Sequence, residues 1–367
     1  MSLRGTDPET VREALQTGDP LPGTFGFAGE VDGRLVRDAL GRVPLFVERE
    51  VDESTGPTWA FEPAALDDPV RFPAGSVSRV TGTEPERIWT LPEPTPESGP
   101  DDALEALDRA IRTAADRVRA DDRDVAVAFS GGVDSALVAE LLDAPLYVVG
   151  FPDSHDVEAA RTAAAAMGRD LAVVELEPAD LERAVPEVAR AIGRTNAMDV
   201  QIALPLYLVG ERVAADGYDA LAVGQGADEL FGGYEKVVRL DHRVKAETIR
   251  GAVREQIRSL SEQLPRDVLA IEAAGLEPVA PLLHDAVTDA ALRLPDELLA
   301  DGETRKRGFR RVATRYLPEE VAARDKKAVQ YGSLVARELD RLARQAGYKR
   351  RMDDHVTTYV ESLFEGE

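Results

Sequence analysis

Two patterns of hydrophobic and polar residues divide the chain. From about residue 103, short apolar runs typical of buried parallel strands are separated by stretches with helical spacing. Strands are predicted at 125–129, 146–151, 170–176 and 220–223, and helices at 103–120, from 133 onward, and at 156–167, 180–192 and 201–215. Repeated strand–helix units predict an α/β fold: an open parallel sheet with helices on both faces and a ligand at its carboxyl edge. Beyond Tyr234 the pattern predicts a helical C-terminal part.

The first 90 residues show a different pattern. Short apolar runs interrupted by turn residues, first of all Asp32-Gly33, predict a β-hairpin followed by a further strand. Similar runs at 59–66 and 71–76 extend this unit. We therefore expect a small β-rich N-terminal domain at 1–90.

Residues 91–102 separate these two parts of the chain. They contain four prolines and almost nothing apolar, which is typical of an extended linker. Asp101 or Asp102 is expected to cap the helix that follows. The remaining domain is expected to cover residues 103–367.

The run Ser130-Gly131-Gly132 follows the first predicted strand and precedes a helix. Strand, glycine turn and helix bring free N–H groups and the positive end of a helix dipole to one point, which favours anion binding. The glycines let the backbone approach a ligand, and the hydroxyls of Ser130 and Ser135 add donors. Asp134 would repel a phosphate, so its carboxylate indicates a Mg²⁺ ion between the two.

The motif S-G-G-V-D-S at 130–135 resembles the pyrophosphate loop of the N-type ATP pyrophosphatases, which cleave ATP to AMP and pyrophosphate. It is not a Walker loop, because no Gly-Lys-Ser/Thr follows the glycines. The resemblance implies an adenine nucleotide alpha hydrolase-like fold. The group includes amide, GMP and NAD synthetases and RNA-modifying ligases, so the loop indicates ATP chemistry and leaves the substrate open.

A second motif, G-Q-G-A-D-E-L-F-G-G-Y at 224–234, resembles G-E-G-A-D-E-L-F-G-G-Y of the glutamine-hydrolysing asparagine synthetases. By that resemblance Gly224 lies against the adenine, and one Mg²⁺ ion joins Asp134 and Asp228. Gln225 stands where the glutamine-dependent enzymes usually carry Glu. Because an amide does not exchange protons near neutral pH, Gln225 is expected to position a substrate by hydrogen bonds. The resemblance implies these nucleotide-binding residues: Ser130, Gly131, Gly132, Asp134, Ser135, Val149, Gly224 and Asp228.

Two later segments also resemble this family. Residues 266–295 are similar to its substrate-side segment, which makes Glu277 a candidate catalytic residue, although Val279 or its neighbour replaces the family's Arg. Lys326 aligns with the Lys of the family's R-Q-K-E-Q segment. An ammonium there would stabilise negative charge on the α-phosphate during carboxylate attack. The neighbouring Lys327 is expected to point elsewhere.

The N-terminal pattern G-x-F-x-F-A…D-G-R-L…R-D-x-L-G-x-x-P-L resembles the later half of the glutaminase domain of asparagine synthetases. Those domains use an N-terminal cysteine, whereas Ser2 follows Met1 here and the chain has no cysteine. We therefore expect a truncated glutaminase-like domain that does not release ammonia from glutamine.

Composition narrows the function further. The formal charge is −24, and only six of the 44 basic residues are lysines, which favours a halophilic, cytoplasmic protein. No basic stripe for nucleic acid, no signal peptide and no apolar run of about 18 residues are present. The lack of cysteine excludes disulfides and thiolate chemistry, and none of the four histidines shows ligand spacing.

Together these features predict an asparagine-synthetase-like ligase that uses ATP and Mg²⁺. It would adenylate a carboxylic acid such as aspartate and then amidate it with ammonia, taken from solution or from a separate glutaminase. A homodimer is a further option, and no nucleic acid or membrane partner is expected. Three alternatives stay open: another amide- or lactam-forming ligase, an RNA-modifying ligase, and a nucleotide-binding homologue without catalysis.

Overall fold

The computed structural model describes residues 2–49, 58–80, 84–301, 304–324, 332–351 and 354–364. The strands in these ranges are β1 (Leu3–Arg4), β2 (Ala28–Val31), β3 (Arg34–Arg37), β4 (Phe46–Glu48), β5 (Trp59–Ala60), β6 (Pro69–Arg71), β7 (Ser76–Arg79), β8 (Glu86–Arg87), β9 (Val125–Ala128), β10 (Leu146–Gly150), β11 (Leu171–Glu175), β12 (Ala220–Ala222) and β13 (Glu277–Val279).

The α-helices are α1 (Pro8–Thr17), α2 (Pro100–Arg119), α3 (Val133–Leu142), α4 (His155–Met167), α5 (Pro178–Ile192), α6 (Ala197–Ala215), α7 (Ala227–Phe231), α8 (Glu235–Val238), α9 (Ile249–Ala273), α10 (Asp285–Leu292), α11 (Asp296–Leu299), α12 (Arg307–Ala313), α13 (Glu319–Ala322) and two further helices, Val335–Gln345 and His355–Ser362. Short 3-10 turns occur at Pro63–Ala65 and Pro281–Leu283. No helix in the described part of the chain is long and apolar enough to cross a membrane.

The chain divides into two compact units. Unit 1 consists of Met1–Asp121, Gly224–Pro265 and Ala280–Tyr316, and unit 2 of Asp122–Val223, Arg266–Val279 and Leu317–Glu367. These units are not the predicted domains, whose boundaries at residues 90 and 102 stay a prediction.

Unit 2 contains a parallel five-stranded sheet with the strand order β11-β10-β9-β12-β13. Its central strands are buried, with Val127 and Leu221 completely inaccessible to solvent, as expected for strands covered on both faces. The predicted α/β fold with a parallel sheet is therefore confirmed. The carboxyl ends of β9, β10 and β12 lie along one edge, because all these strands run in the same direction.

Helices flank this sheet. Helix α4 packs on β10 and β11, and α6 packs on β9, β10 and β12, while the two C-terminal helices pack against α5 and α6. Gly168 ends α4 in the left-handed conformation, with φ of 67°, which glycine adopts without a Cβ clash. These are the strand–helix units that the hydrophobic pattern predicts.

Unit 1 contains the β-rich N-terminal part. An antiparallel sheet has the order β1-β2-β3-β7-β8, and a smaller one has the order β5-β4-β6. The predicted hairpin joins β2 to β3, and both Asp32 and Gly33 have positive φ, as a two-residue hairpin turn requires. The core beneath includes Phe27 and Trp89, whose rings meet edge to face at 5.5 Å.

Helix α1 is absent from the predicted elements. The side chain of Asp7 accepts hydrogen bonds from the backbone N–H groups of Glu9 and Thr10, and Pro8 occupies the first helical position. Both features are typical of a helix start. A capping signature therefore precedes a helix in a segment whose neighbouring residues predict only β-structure.

The predicted cap of α2 is wrong. The helix begins at Pro100 with Gly99 as its N-cap, and Asp101 and Asp102 lie inside the first turn. Proline suits the first helical position because its missing N–H has no partner there anyway. The two carboxylates still interact favourably with the positive end of the helix dipole.

The proline-rich segment before α2 forms neither helix nor strand over residues 90–97. Two arginines of α9 bind its backbone: Arg254 donates to the carbonyl groups of Leu91 and Pro92, and Arg250 donates to that of Pro94. Side-chain donors therefore satisfy a backbone that has no strand partner.

Candidate active site

The glycine turn after β9 has the geometry of an anion site in unit 2. Gly131 has φ of 71°, and a Cβ atom placed on it would lie 2.6 Å from the carbonyl oxygen of Ala159, so only glycine fits. Helix α3 then starts with Gly132 as its N-cap. Among the residues that the structure describes, no side chain caps that end. A helix start without a side-chain cap is a typical place for an anion to bind.

Two serine hydroxyls shape this loop. The backbone N–H of Ser130 donates to Oγ of Ser135 over 3.2 Å, and that buried hydroxyl donates to the carbonyl oxygen of Gly132, also over 3.2 Å. Ser135 is therefore part of the loop's internal bonding, and its role as a donor to a ligand stays a prediction. Oγ of Ser130 lies 3.2 Å from Oγ of Ser135.

Asp134 and Val149 lie in the helix and the strand that the sequence predicts for them, and both belong to unit 2. Asp134 stands in the first turn of α3, where a carboxylate interacts favourably with the helix dipole. Val149 is buried in β10, two residues beyond Tyr147, which pairs with Ala128 of β9. Because Ser130 is also two residues beyond Ala128, Val149 and the loop reach the same level at the carboxyl edge.

Glu277 does not lie at that edge. It is the first residue of β13 and pairs with Ala220, which in turn pairs with Val125 at the start of β9. Ser130 is five positions beyond Val125, which corresponds to about 16 Å in an extended chain. The exposed Glu277 carboxylate instead forms an ion pair with Arg123. The parallel register therefore separates this candidate from the glycine turn.

The second motif begins two residues after the last residue of β12, and its residues 224–234 belong to unit 1. Gly226 has φ of 89°, and a Cβ atom there would lie 2.4 Å from Cδ2 of Leu283. Gly232 ends the short helix α7 in the left-handed conformation. The glycines therefore allow a tight loop that carries Gly224, Gln225 and Asp228.

Asp228 forms an ion pair with Lys306, a residue that lies outside all the motifs and segments named from the sequence. Nζ of Lys306 lies 2.7 Å from Oδ1 of Asp228, and the lysine side chain is only 7% exposed. Gly233 makes room for this contact, because a Cβ atom on it would lie 1.9 Å from Oδ1 of Asp228. The scarcity of lysine in this chain is the one sequence signal that singles out Lys306.

The neighbouring Glu229 is buried within the same motif. Tyr234 donates a hydrogen bond to its carboxylate. Burial and, to a smaller extent, the nearby Asp228 carboxylate together raise the pKa of Glu229 to about 6. The motif therefore holds two adjacent carboxylates in different environments, one buried against a phenol and one facing an ammonium.

These residues are compatible with nucleotide and Mg²⁺ binding. In nucleotide sites Mg²⁺ typically takes one or two carboxylates together with phosphate oxygens, and each motif supplies such a carboxylate, Asp134 or Asp228. Within the described ranges, no group of three or more His, Asp or Glu side chains is close enough to hold a metal ion. The Mg²⁺ site shared by the two carboxylates stays a prediction. Lys326 and Lys327 lie outside the described residues.

Comparison with known proteins identifies relatives over most of the chain. The asparagine synthase family model matches residues 105–272 and 245–364. A Methanocaldococcus jannaschii protein named as a glutamine-hydrolysing asparagine synthetase is 30% identical over 70% of this chain and 54% of its own length. Asparagine synthetase B of Escherichia coli is 26% identical over 89% of this chain and 65% of its own length. The corresponding enzyme of Asparagus officinalis is 26% identical over 86% of this chain and 58% of its own length. The chain thus spans between about half and two thirds of these relatives.

Proposed function

The chain belongs to the asparagine synthase family, and on that premise we propose that it is an ATP-dependent ligase that converts a carboxylate into an amide. The observation that carries the proposal is the glycine turn at Gly131–Gly132. It places the uncapped start of a ten-residue helix at the carboxyl edge of a parallel sheet, where α/β proteins bind their ligands.

The proposed reaction has two steps. A carboxylate oxygen of the acceptor attacks the α-phosphorus of ATP, the bond to the β-phosphate oxygen breaks, and pyrophosphate leaves. Ammonia then attacks the acyl carbon, loses a proton, and displaces AMP. The N–H groups at the start of α3 would bind the pyrophosphate portion, since the helix dipole favours negative charge there.

Side chains of both motifs would assist. Asp134 and Asp228 would hold Mg²⁺, which supplies charge neutralisation to the phosphates when bound. Gln225 would orient the acceptor or ammonia by hydrogen bonds, because its amide is no acid or base near neutral pH. Lys326 would stabilise the charge that develops on the α-phosphate. Glu277 is not included, because it lies at the amino end of the sheet.

The proposed acceptor is aspartate, through its side-chain carboxylate, and the proposed nitrogen donor is ammonia. Both proposals rest on family membership. The backbone N–H of Val223 donates to the carbonyl oxygen of Val279 over 2.9 Å. Val279, discussed above as a replacement of the family's Arg, is buried and carries no charge.

A screen of pyrophosphate release tests the proposal. Purified protein is incubated with ATP, Mg²⁺, ammonium and one carboxylic acid at a time, at high and at low salt. We expect aspartate to stimulate release, with asparagine and AMP formed in equal amounts. Stimulation by another acid would retain the ligase and replace the substrate. Release that no acid stimulates above the level with ATP alone would contradict the ligase function.

A further inference from the structure

A buried ion cluster in unit 1 connects the N-terminal part of the chain to the segment before α10. Arg42 is 3% exposed at its side chain and lies 2.9 Å from Asp38 and 2.7 Å from Asp285. The same guanidinium donates a hydrogen bond of 2.7 Å to the carbonyl oxygen of Leu283. Arg42 thus holds both the backbone of Leu283 and the first residue of α10.

Thr24 adds a second connection to the same place. Its backbone N–H donates to the Asp285 carboxylate over 2.7 Å, and its carbonyl oxygen accepts from the Asp285 N–H over 2.9 Å. Gly26 is required beside this cluster, because a Cβ atom on it would lie 2.6 Å from Cβ of Arg42. Residues 24–42 therefore fix the start of α10 through several independent bonds.

The segment Leu283–Asp285, which Arg42 and Thr24 hold, and the helix α10 that it begins contact the second glycine-rich motif. The side chain of Leu283 lies against Gly226, where a Cβ atom would come within 2.4 Å of it, and α10 packs on α7, the helix that carries Asp228. A path of direct contacts thus runs from Arg42 through Leu283 to Gly226. Every residue in it is buried or at a glycine position that excludes a side chain.

The charges of the cluster are a poor source of net stability. Burying three charged groups costs desolvation energy that their attraction roughly offsets. Nη2 of Arg42 is buried and has no hydrogen-bond partner among the described residues. The main physical consequence of the cluster is therefore the position that it imposes on Leu283 and Asp285.

We infer that Arg42 is a positioning residue, through which the N-terminal part of the chain holds the loop 224–234 in its binding conformation. This inference extends the proposed function. It rests on that function in one respect, namely that the loop 224–234 takes part in binding ATP and Mg²⁺. Arg42 acts through Leu283, and it contacts no residue that we assign to ATP or Mg²⁺.

Arg37 provides a matched control. It is also buried, five residues before Arg42 at the end of β3, and it donates to the carbonyl oxygens of Val43, Phe72 and Gly41. All three partners lie within the first 80 residues. Arg37→Lys should therefore perturb the N-terminal part as much as Arg42→Lys does, without releasing Leu283.

The test measures hydrogen–deuterium exchange of the full chain without substrates. In Arg42→Lys, amides of residues 224–234 should exchange roughly 10- to 100-fold faster, because a charged hydrogen bond that holds the loop is weakened. Amides of residues 125–142 should be unchanged. In Arg37→Lys, faster exchange should be confined to residues near 41, 43 and 72.

Equal exchange of 224–234 in Arg42→Lys and wild type would overturn the inference, as would the same acceleration in Arg37→Lys. Should Arg42→Lys not fold, Leu283→Ala decides: it removes the contact with Gly226 and should accelerate 224–234 while leaving residues 24–42 protected. Unchanged exchange of 224–234 in Leu283→Ala would overturn the inference. Because no substrate is present, the result is independent of whether the chain releases pyrophosphate, which tests the proposed function separately.

Discussion

Nζ of Lys306 lies 2.7 Å from Oδ1 of Asp228, inside the glycine-rich motif that follows β12. The lysine has a positive φ of 54°, which is unusual for a residue with a side chain, and it stands immediately before α12. The pair thus combines a buried cation, a half-exposed carboxylate and a strained backbone position. Strained backbone positions of residues with a side chain cluster at functional sites.

We expect Lys306→Met to lower pyrophosphate release by about 10²-fold, because it removes the ammonium that holds the Asp228 side chain and a fixed positive charge that would attract the phosphates of ATP. Steady-state kinetics at saturating ATP measure the loss. Lys349→Met is the control, since Lys349 is exposed. Similar rates in both variants would show that the Lys306–Asp228 pair only stabilises the loop.

Asp134→Ala and Asp228→Ala should each abolish pyrophosphate release while circular dichroism stays that of the wild type. Each change removes one oxygen ligand from the proposed Mg²⁺ site. Glu140→Ala alters an exposed carboxylate on the same helix as Asp134 and should release pyrophosphate normally. Near-normal release by either aspartate variant would contradict the shared metal site.

Lys326→Ala should reduce turnover by about 10²- to 10³-fold with a modest change in apparent ATP affinity, because a charge aimed at the α-phosphate acts mainly in the transition state. Lys327→Ala should be mild, because adjacent side chains point in different directions and only that of Lys326 is expected to face the α-phosphate. Initial rates over a range of ATP concentrations separate the two effects. Equal activity of the variants, or greater sensitivity at 327, would mean that the alignment of this segment is wrong.

Ammonium, and not glutamine, should support turnover, because the chain has no cysteine to attack glutamine. Product formation is measured with each nitrogen source, and glutamate is measured in parallel. Glutamate release from glutamine at the rate of product formation would contradict this prediction. An added glutaminase should restore turnover with glutamine by supplying ammonia.

His284 should make unfolding pH-dependent. Burial, together with repulsion by Arg117 and Arg42, lowers the pKa of His284 to about 4. The neutral ring accepts from the N–H of Ala286 through Nδ1 and contacts the carbonyl oxygen of Gly23 through Nε2. A protonated ring would present a second donor to Ala286.

The histidine of the unfolded chain binds a proton near pH 6.5, whereas that of the folded chain stays neutral until about pH 4. The free energy of unfolding therefore keeps its full value above pH 6.5. It decreases as the pH falls towards 4, by up to about 3 kcal/mol. Urea titrations of wild type and His284→Asn between pH 7 and 4 measure this difference. The asparagine retains an N-cap acceptor and should remove that part of the pH dependence. His242→Asn, at an exposed position, should behave as wild type.

Much of the fold follows from local sequence patterns. The strand at Val125–Ala128, the helix from Val133 and the helix that ends at Met167 are all predicted, because burial of a strand or helix face leaves a periodicity in neighbouring residues. The same locality explains the omission of α1: its capping residues lie in a short segment that the surrounding β-pattern outweighs.

By itself the sequence determined the family, the parallel α/β unit and the two glycine-rich motifs, since each depends on residues close together in the chain. Only the tertiary structure decided which charged groups meet. Arg42 donates a hydrogen bond to Leu283, which is 241 positions away, and Lys306 forms an ion pair with Asp228. Glu277 lies at the amino end of the parallel strands. The chain has 44 basic and 68 acidic residues, and the sequence does not show which of them pair. Ion pairing depends on packing and burial and leaves no periodic pattern.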